Sequence, residues 1–418
     1  MIELVTVDVE RLTFGFDALA HHDGEVVFVP YAAPGDRVRA RVVERRRGYA
    51  RAEIESVPVA GADRVLPGCR WFPPCGGCQW QHVAPEAQRR ARSAIVAEQL
   101  ARIAGLRDVD VLPTIASPTD WGYRSRITLV VEGRRAGYHR ARSHRLLEID
   151  GCPIADPAIV RHLESVRRWI GSTRTALRRV TIAVAPGGVA VGAVAATRPA
   201  DGDRAACERA LAADGGLRGF VLVGGRSRLV VGDPSVRVEL ESGLDLEVPV
   251  DAFTQVNAGA NRPLVETVLR YAEARAGTRA LDLYCGAGNF TLPLARRGAE
   301  VLGIERSAVA VEAGRANAKR HGLPATFRHA DVTEALTTVA PGSIDTVVLD
   351  PPRAGAADAV AGIAALRPGR IIYVSCDPAT LARDARALAE RGWRLVRVQP
   401  IDLFPQTYHV ESVAEFCC

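Results

Sequence analysis

The 418-residue sequence has no run of 18 uninterrupted apolar residues, the length a helix needs to cross the hydrocarbon core of a bilayer. No membrane-spanning helix is expected, although 48 % of the residues are apolar. The stretch from Met1 to Glu10 carries acids and lacks the basic start and apolar block of a secretion signal, so the cytoplasm is the expected compartment and no membrane partner is expected. Lysine is nearly missing: Lys319 is the only one, and the net charge of +6 rests on arginine. A G- and C-rich genome produces that bias, so the net charge by itself does not argue for nucleic acid; the placement of the arginines says more. Internal repeats and low-complexity tracts are also missing. The nine cysteines are odd in number and unevenly spaced, which excludes a disulfide framework and favours metal binding or catalysis.

What is present divides the chain in three, as its length leads one to expect. Residues 1–58 alternate apolar and polar positions, as in Arg37-Val-Arg-Ala-Arg-Val-Val43, between turn signals such as Asp23-Gly24, and predict a small OB-like β-barrel. Seven arginines against three acids lie between Asp36 and Glu53, with Tyr49 among them. That suits a surface tracking a phosphate backbone; it also suits an edge strand kept soluble by charge. Residues 59–247 predict a central α+β domain. It opens on a Cys-, Pro- and Gly-rich stretch and a helix over 85–105, which can pack on the last domain. Residues 248–418 alternate apolar strands with helices, the pattern of a doubly wound, Rossmann-like α/β sheet, and end in an antiparallel pair, Trp393 to Asp402 and His409 to Phe416.

The strand Leu281-Asp282-Leu283-Tyr284 runs into Cys285-Gly286-Ala287-Gly288-Asn289-Phe290. Glycines there let the backbone turn sharply and approach a ligand. Glu305 ends the next strand, 23 residues after Asp282, where an acid can accept both hydroxyls of a ribose. Asn289 and Phe290 break the pyrophosphate-binding glycine pattern, so an adenosine without phosphate is favoured, and S-adenosylmethionine fits. Asp331 either faces the adenine or caps a helix.

Three further segments sit where strands of this sheet end: Asp350-Pro351-Pro352-Arg353, Ser375-Cys376-Asp377-Pro378 and Pro405 to Glu411. Ligands of open α/β sheets bind at such ends. With Phe253-Thr254-Gln255-Val256-Asn257 and the glycine loop, these motifs resemble the RNA uracil-5 methyltransferases, class I enzymes that use S-adenosylmethionine, and the resemblance covers nearly the whole chain. It implies that Gln255, Tyr284, Glu305 and Asp350 bind the methyl donor, that Cys376 is the nucleophile and that Glu411 is the general base; the loop residues Gly286 and Asn289, and Asp331, are further candidates for the donor site. Cys376-Asp377 stands where relatives often carry Cys-Asn. The barrel resembles the TRAM domain that members often carry.

The chemistry accounts for those residue types. Carbon 5 of uracil is inert until a thiolate adds to carbon 6, and cysteine suits that addition. A carboxylate must then remove the carbon 5 proton. The target base has to leave its stack. The proline-rigid 350–353 loop is suited to wall its pocket, with Arg353 either on the nucleotide or in a surface salt bridge.

Cys69, Cys75, Cys78 and the remote Cys152, 74 residues after Cys78, form a candidate metal set. Zinc sites built from four thiolates come as two close pairs; iron–sulfur clusters tolerate one distant ligand. The family resemblance implies a [4Fe–4S] cluster here, in a folding or RNA-positioning role away from the catalytic motifs. Cys417-Cys418 reads as a tail. Cluster and barrel together resemble the members acting on 23S ribosomal RNA more than those acting on tRNA; a monomer is expected. Two other readings stand beside this one: an inactive RNA-binding assembly factor on the same fold, and a methyltransferase for exocyclic amines. The second requires an Asn-Pro-Pro-Tyr type of loop and no catalytic cysteine.

Overall fold

The computed structural model describes residues 3–418; Met1 and Ile2, at the start of the expected barrel, lie outside the described residues. Strands β1 (Leu4–Leu12), β2 (Asp17–His22), β3 (Glu25–Pro30), β4 (Arg37–Arg46) and β5 (Tyr49–Val59) close a barrel in the order β1-β2-β3-β5-β4. Alternation puts Val5, Val7, Val38 and Ala40 inside. His22 pairs with Glu25 around Asp23-Gly24, both at positive φ (49° and 81°), the two-residue turn that matches strand twist. Closure leaves no edge to protect, so the arginines of β4 do not serve there. They form a cross-strand ladder instead, Arg37 with Asp8, Arg39 with Glu55 and Arg41 with Glu53. Exposed pairs of this kind add little stability, because water screens them.

Helix α1 (Pro85–Gln99) has proline in its first turn, runs into a π-helical turn at Leu100–Ala104 and stops at Gly105 (φ 73°). β6 (Asp110–Val111) follows. The central module comprises β7 (Arg126–Glu132), β8 (Arg135–His139), β9 (Leu146–Leu147), α2 (Pro157–Ser172), β10 (Leu177–Ala185), β11 (Gly188–Ala195), α3 (Asp201–Ala213), β12 (Leu217–Gly224) and β13 (Ser227–Gly232). Its seven strands are ordered β13-β12-β11-β10-β7-β8-β9, and α2 packs on them through Trp169 against Phe220, ring centroids 4.7 Å apart.

The last module comprises the hairpin β14 (Ser235–Glu241) and β15 (Leu244–Pro249), then α4 (Ala258–Ala272), β16 (Arg279–Leu283), α5 (Thr291–Arg296), β17 (Glu300–Glu305), α6 (Ala308–Arg320), β18 (Ala325–His329), α7 (Val332–Leu336), β19 (Thr346–Leu349), α8 (Ala357–Leu366), β20 (Arg370–Ser375), α9 (Pro378–Ala389), β21 (Arg394–Ile401) and β22 (Glu411–Cys417). The sheet order is β18-β17-β16-β19-β20-β22-β21-β6. Strands β16 to β20 run parallel, and β22 is antiparallel to both β20 and β21. The order reverses between β16 and β19, so a crevice opens at their carboxyl ends.

Three details depart from the sequence reading. The two residues of β6, too few to show alternation, join the far edge of this sheet parallel to β21; the π-helical turn after α1 packs against α9, in line with the expected packing of the 85–105 helix on the last domain. The β14–β15 hairpin leaves the central sheet and shares a core with the catalytic layers, Val236 and Val248 packing with Leu292 and Val311. Cys417 is no tail: it pairs with Arg370 and Arg394 across its neighbouring strands. Among the described residues no helix is long and apolar enough to cross a membrane.

Candidate active site

The loop after β16 is bent by Tyr284 (φ 62°), Gly286 (φ 55°) and Gly288 (φ 104°). A Cβ on Gly286 would point into open space, while one on Gly288 would come within 2.9 Å of Phe327. The first glycine therefore leaves room above the loop and the second lets it sit on the sheet. Glu305 closes this loop from β17: it accepts the N–H of Gly286 (3.1 Å) and of Ser307 (2.6 Å). A carboxylate has about four lone-pair sites, so Glu305 can still receive the hydroxyls of a ribose. Beneath lies Asp282, fully buried, with one oxygen accepting from Thr291 (2.6 Å) and the other without a partner. Burial pushes its carboxyl up to about 7. Asn289 is held by reciprocal amide bonds to Asn261 of α4 (2.8 and 3.1 Å). Asp331 caps α7, accepting from the Thr333 N–H at 2.9 Å.

Gln255 reaches the same crevice from the segment before α4 and donates to Asp350 at 3.3 Å. Asp350 follows β19, and burial raises its carboxyl to about 7. Cys376 follows β20. The ladder between β20 and β22 ends with Ser375 facing Ser412; Cys376 follows directly and Glu411 opens β22, and Glu411 and Asp350 both act on the Cys376 thiol. Glu411 is buried; burial first, and Asp350 second, hold its carboxyl well above the usual range, with Arg353 opposing. Burial, then Glu411 and Asp350, push the Cys376 thiol up to about 12, again against Arg353. Both groups are thus shifted toward their protonated forms, a shift that positive charge entering the crevice opposes.

Arg353 is exposed and makes no ion pair among the described residues. Its guanidinium lies 3.2 Å from a ring nitrogen of His409, whose imidazole is pushed down to about 3 by burial and by Arg353, Arg124 and Arg92. The surface salt bridge is thereby replaced by a contact with a neutral imidazole inside the 405–411 segment.

Cys69, Cys75, Cys78 and Cys152 line one small cavity of about 30 Å³, together with Arg124 and Tyr138. All four are free thiols. Burial pushes Cys75 up to about 11 and Cys78 up to about 12. Gly76 makes the close approach possible: its N–H bonds the carbonyl of His139 at 3.0 Å, and a Cβ would lie 3.0 Å from that oxygen. The thiols surround the cavity without closing on one point; among the described residues no three His, Cys, Asp or Glu side chains are gathered as metal ligands. Arg124, half-buried, has no carboxylate partner there and donates to the Tyr123 hydroxyl at 3.4 Å.

The cysteine segment is not remote from the motifs. Gln79 and Trp80 donate their N–H groups to the carbonyl of Gln406 (3.1 and 3.0 Å), and the Tyr123 hydroxyl donates to that of Pro405 (2.9 Å). More than 300 residues of intervening chain hide this in the sequence. Arg92 and Gln88 of α1 were likewise passed over. Both are buried beside Ile95 and Val96, and a charged residue on the apolar face of a helix was the signal available.

Residues 274–398 match the model of a methyltransferase domain, and residues 3–54 match that of the TRAM domain. The chain is 40 % identical to a 23S rRNA (uracil(1939)-C(5))-methyltransferase RlmD of Alkalilimnicola ehrlichii, over 95 % of this chain and 93 % of that one. It is 38 % identical to the protein of that description from Thiobacillus denitrificans, over 98 % and 99 %. Among solved structures it superposes on the Pyrococcus abyssi tRNA (uracil-54, C5)-methyltransferase in complex with S-adenosyl-L-homocysteine, with a TM-score of 0.74 and 26 % identity, covering 99 % of this chain and 100 % of that one.

Proposed function

The chain belongs to the family of the 23S rRNA uracil-C5 methyltransferases, and we propose that it moves the methyl group of S-adenosylmethionine to carbon 5 of a uridine in 23S rRNA through a covalent adduct on Cys376. The observation that carries the mechanism is the convergence of Cys376, the residue after the Ser375–Ser412 pair, with the buried Glu411 that opens the neighbouring strand and with Asp350, held by Gln255. The two relatives named above carry an rRNA description at 40 and 38 % identity, against 26 % for the tRNA enzyme, which favours rRNA as substrate. We assign RNA binding to residues 1–58, the cysteine site to the central region and the chemistry to the last module, which with the β14–β15 hairpin begins at Ser235 and not at 248.

Glu305 receives the ribose hydroxyls, Gly286 and Tyr284 let the loop close on the donor, and Asn289, Asp331, Gln255 and Asp350 complete its site. The donor supplies an electrophilic methyl carbon on a cationic sulfonium, whose bond to sulfur breaks as the bond to carbon 5 forms. Cys376 acts first. Its thiolate adds to carbon 6, and the π electrons of the carbon 5–carbon 6 bond move to the carbonyl oxygen of carbon 4 as an enolate, from which carbon 5 takes the methyl. Glu411 acts last, as a carboxylate. It takes the carbon 5 proton, the enolate re-forms, and the carbon 5–carbon 6 double bond returns as the thiolate leaves carbon 6. A positive charge arriving in the crevice favours both the thiolate and the carboxylate, against the burial and the Asp350 charge that raise each of them.

The four cysteines suit a metal–thiolate group, since they share one cavity that also holds a half-buried cation without a carboxylate. Cys69, Cys75, Cys78 and Cys152 would hold a [4Fe–4S] cluster, and its chemistry there is a tie between two distant chain segments. Arg124 offsets the negative charge of the thiolates.

The test is incubation with labelled methyl donor and total RNA from a strain lacking the gene, followed by mass-spectrometric mapping. The expected product is 5-methyluridine in 23S rRNA. Label on an exocyclic amine, or none, would remove this reading in favour of the amine methyltransferase or the inactive assembly factor.

A further inference from the structure

The segment between β21 and β22, residues 402–410, has no regular structure, so its carbonyls need partners from elsewhere. Three of them, on Phe404, Thr407 and His409, find a partner on one helix more than 300 residues away in the chain, while those of Pro405 and Gln406 bond Tyr123, Gln79 and Trp80. Arg92 of α1 is fully buried. Its guanidinium donates to the carbonyls of Thr407 (2.9 Å), Phe404 (3.1 Å) and His409 (3.2 Å). It lies 3.2 Å from the buried Asp402 and stacks over Trp80, 5.3 Å from the ring centroid. One turn earlier, Gln88 accepts the N–H of Gln406 (2.9 Å) and donates to its side-chain oxygen (3.0 Å). Gln406 itself is in the left-handed region (φ 70°), a conformation that glutamine adopts only when its surroundings impose it. The last carbonyl that Arg92 holds belongs to His409, two residues before Glu411.

We propose that Arg92 is a positioning residue for Glu411, with Gln88 as its support: from one rigid helix they fix the backbone on which the base enters its strand. The proposal rests on the reading of Glu411 as the group that takes the carbon 5 proton. A base must sit within about 2.6–3.2 Å of the proton's carrier, and misplacement by about 1 Å costs on the order of 10²-fold in rate. The first two bond-forming steps, at Cys376 and at the methyl carbon, do not use Glu411. Loosening the clamp therefore slows release of the product and leaves the methylated adduct to accumulate, an effect that loss of general stability does not produce.

The experiment uses the full chain as Arg92→Lys and Gln88→Met, beside wild type and Glu411→Gln, with labelled S-adenosylmethionine and a 23S rRNA transcript spanning uracil 1939. It reads kcat, KM for RNA, S-adenosylhomocysteine binding and the fraction of protein bound to RNA after denaturation. The expected result is kcat down about 10- to 100-fold in Arg92→Lys and less in Gln88→Met, KM within about twofold, cofactor binding retained, and adduct accumulating as in Glu411→Gln. Unchanged kcat, or a fall in kcat without adduct, overturns the positioning role. Loss of cofactor binding in both variants also overturns it, because α1 is then a folding element of the whole site. Failure of the underlying reading looks different: wild type makes no 5-methyluridine, or Glu411→Gln leaves no adduct.

Discussion

Two places in this molecule bury cysteine, and both raise the thiol: Cys376 in the crevice of the large sheet, up to about 12, and Cys75 and Cys78 in the small cavity, up to about 11 and 12. Their neighbours differ in sign. Cys376 faces two buried carboxylates, Glu411 and Asp350, with only the exposed Arg353 in opposition. Cys75, Cys78 and Cys152 face Arg124, which draws each of them down, and no carboxylate lines their cavity. The crevice is an anionic place that gains by admitting a cation; the cavity is a cationic place that gains by holding anions. Burial alone distinguishes nothing here, and the charge of the second neighbour decides which thiol is prepared for chemistry and which for ligation.

The largest effects break that contrast directly. Cys376→Ser should abolish turnover, because an alcohol neither adds to carbon 6 nor leaves it at a useful rate, while cofactor binding and metal content stay as in wild type. Cys75→Ser should do the reverse: iron content falls and thermal stability drops, whereas protein that remains folded still transfers methyl groups. Metal analysis beside single-turnover assays checks both, and a Cys75→Ser protein that keeps its iron and loses all transfer would erase the distinction. Next in size is Glu411→Gln. A general base contributes about 10²–10⁴-fold, so kcat should fall within that range while the protein–RNA adduct survives denaturing electrophoresis. Arg124→Met is smaller. Outer partners of a metal site typically alter affinity by about 10–100-fold, and chelator challenge should show faster metal loss with the crevice thiol unaffected.

The crevice was more legible in the sequence than the cavity, for a physical reason. Catalytic residues at strand ends are announced by what surrounds them: a glycine-bent loop before Glu305, prolines fixing Asp350, a strand of β-branched and apolar residues delivering Cys376. Each strand end points into the same crevice once the sheet order is known, so local motifs bring out Asp350 and Cys376, while the roles of Gln255 and Glu411 come from the family resemblance. Cys69, Cys75 and Cys78 announce themselves by spacing, but Cys152, Arg124 and the contact with Gln406 depend on tertiary packing that no local pattern carries. The same limit explains β6, whose two residues have no periodicity, and the β14–β15 hairpin, whose alternation shows that one face is buried but not against what. The basic strand of the barrel misled in a further way: Arg37, Arg39 and Arg41 counted as free charge in the sequence, and Asp8, Glu55 and Glu53 lie across from them in the fold.

The smallest effect is also the one that tests the sign of the crevice. In the proposed mechanism thiolate and carboxylate are the active forms of Cys376 and Glu411, and burial and Asp350 raise both groups, so kcat/KM should rise with pH. Asp350→Asn removes one negative neighbour from each. The rising limb should then move toward lower pH by up to about one unit, equivalent to about 1.4 kcal/mol, even though weaker cofactor binding lowers the curve as a whole. Stability should respond in the opposite sense. The folded carboxyl of Asp350 titrates at about 7 against about 3.9 in an unfolded chain, so the folded state binds the extra proton between those values. The contribution of Asp350 is full below about pH 4 and is lost as pH rises through 7, and the asparagine variant should escape that loss. A limb that stays in place in Asp350→Asn would mean that the two acids do not share a field, and the crevice would then differ from the cysteine cavity in shape only.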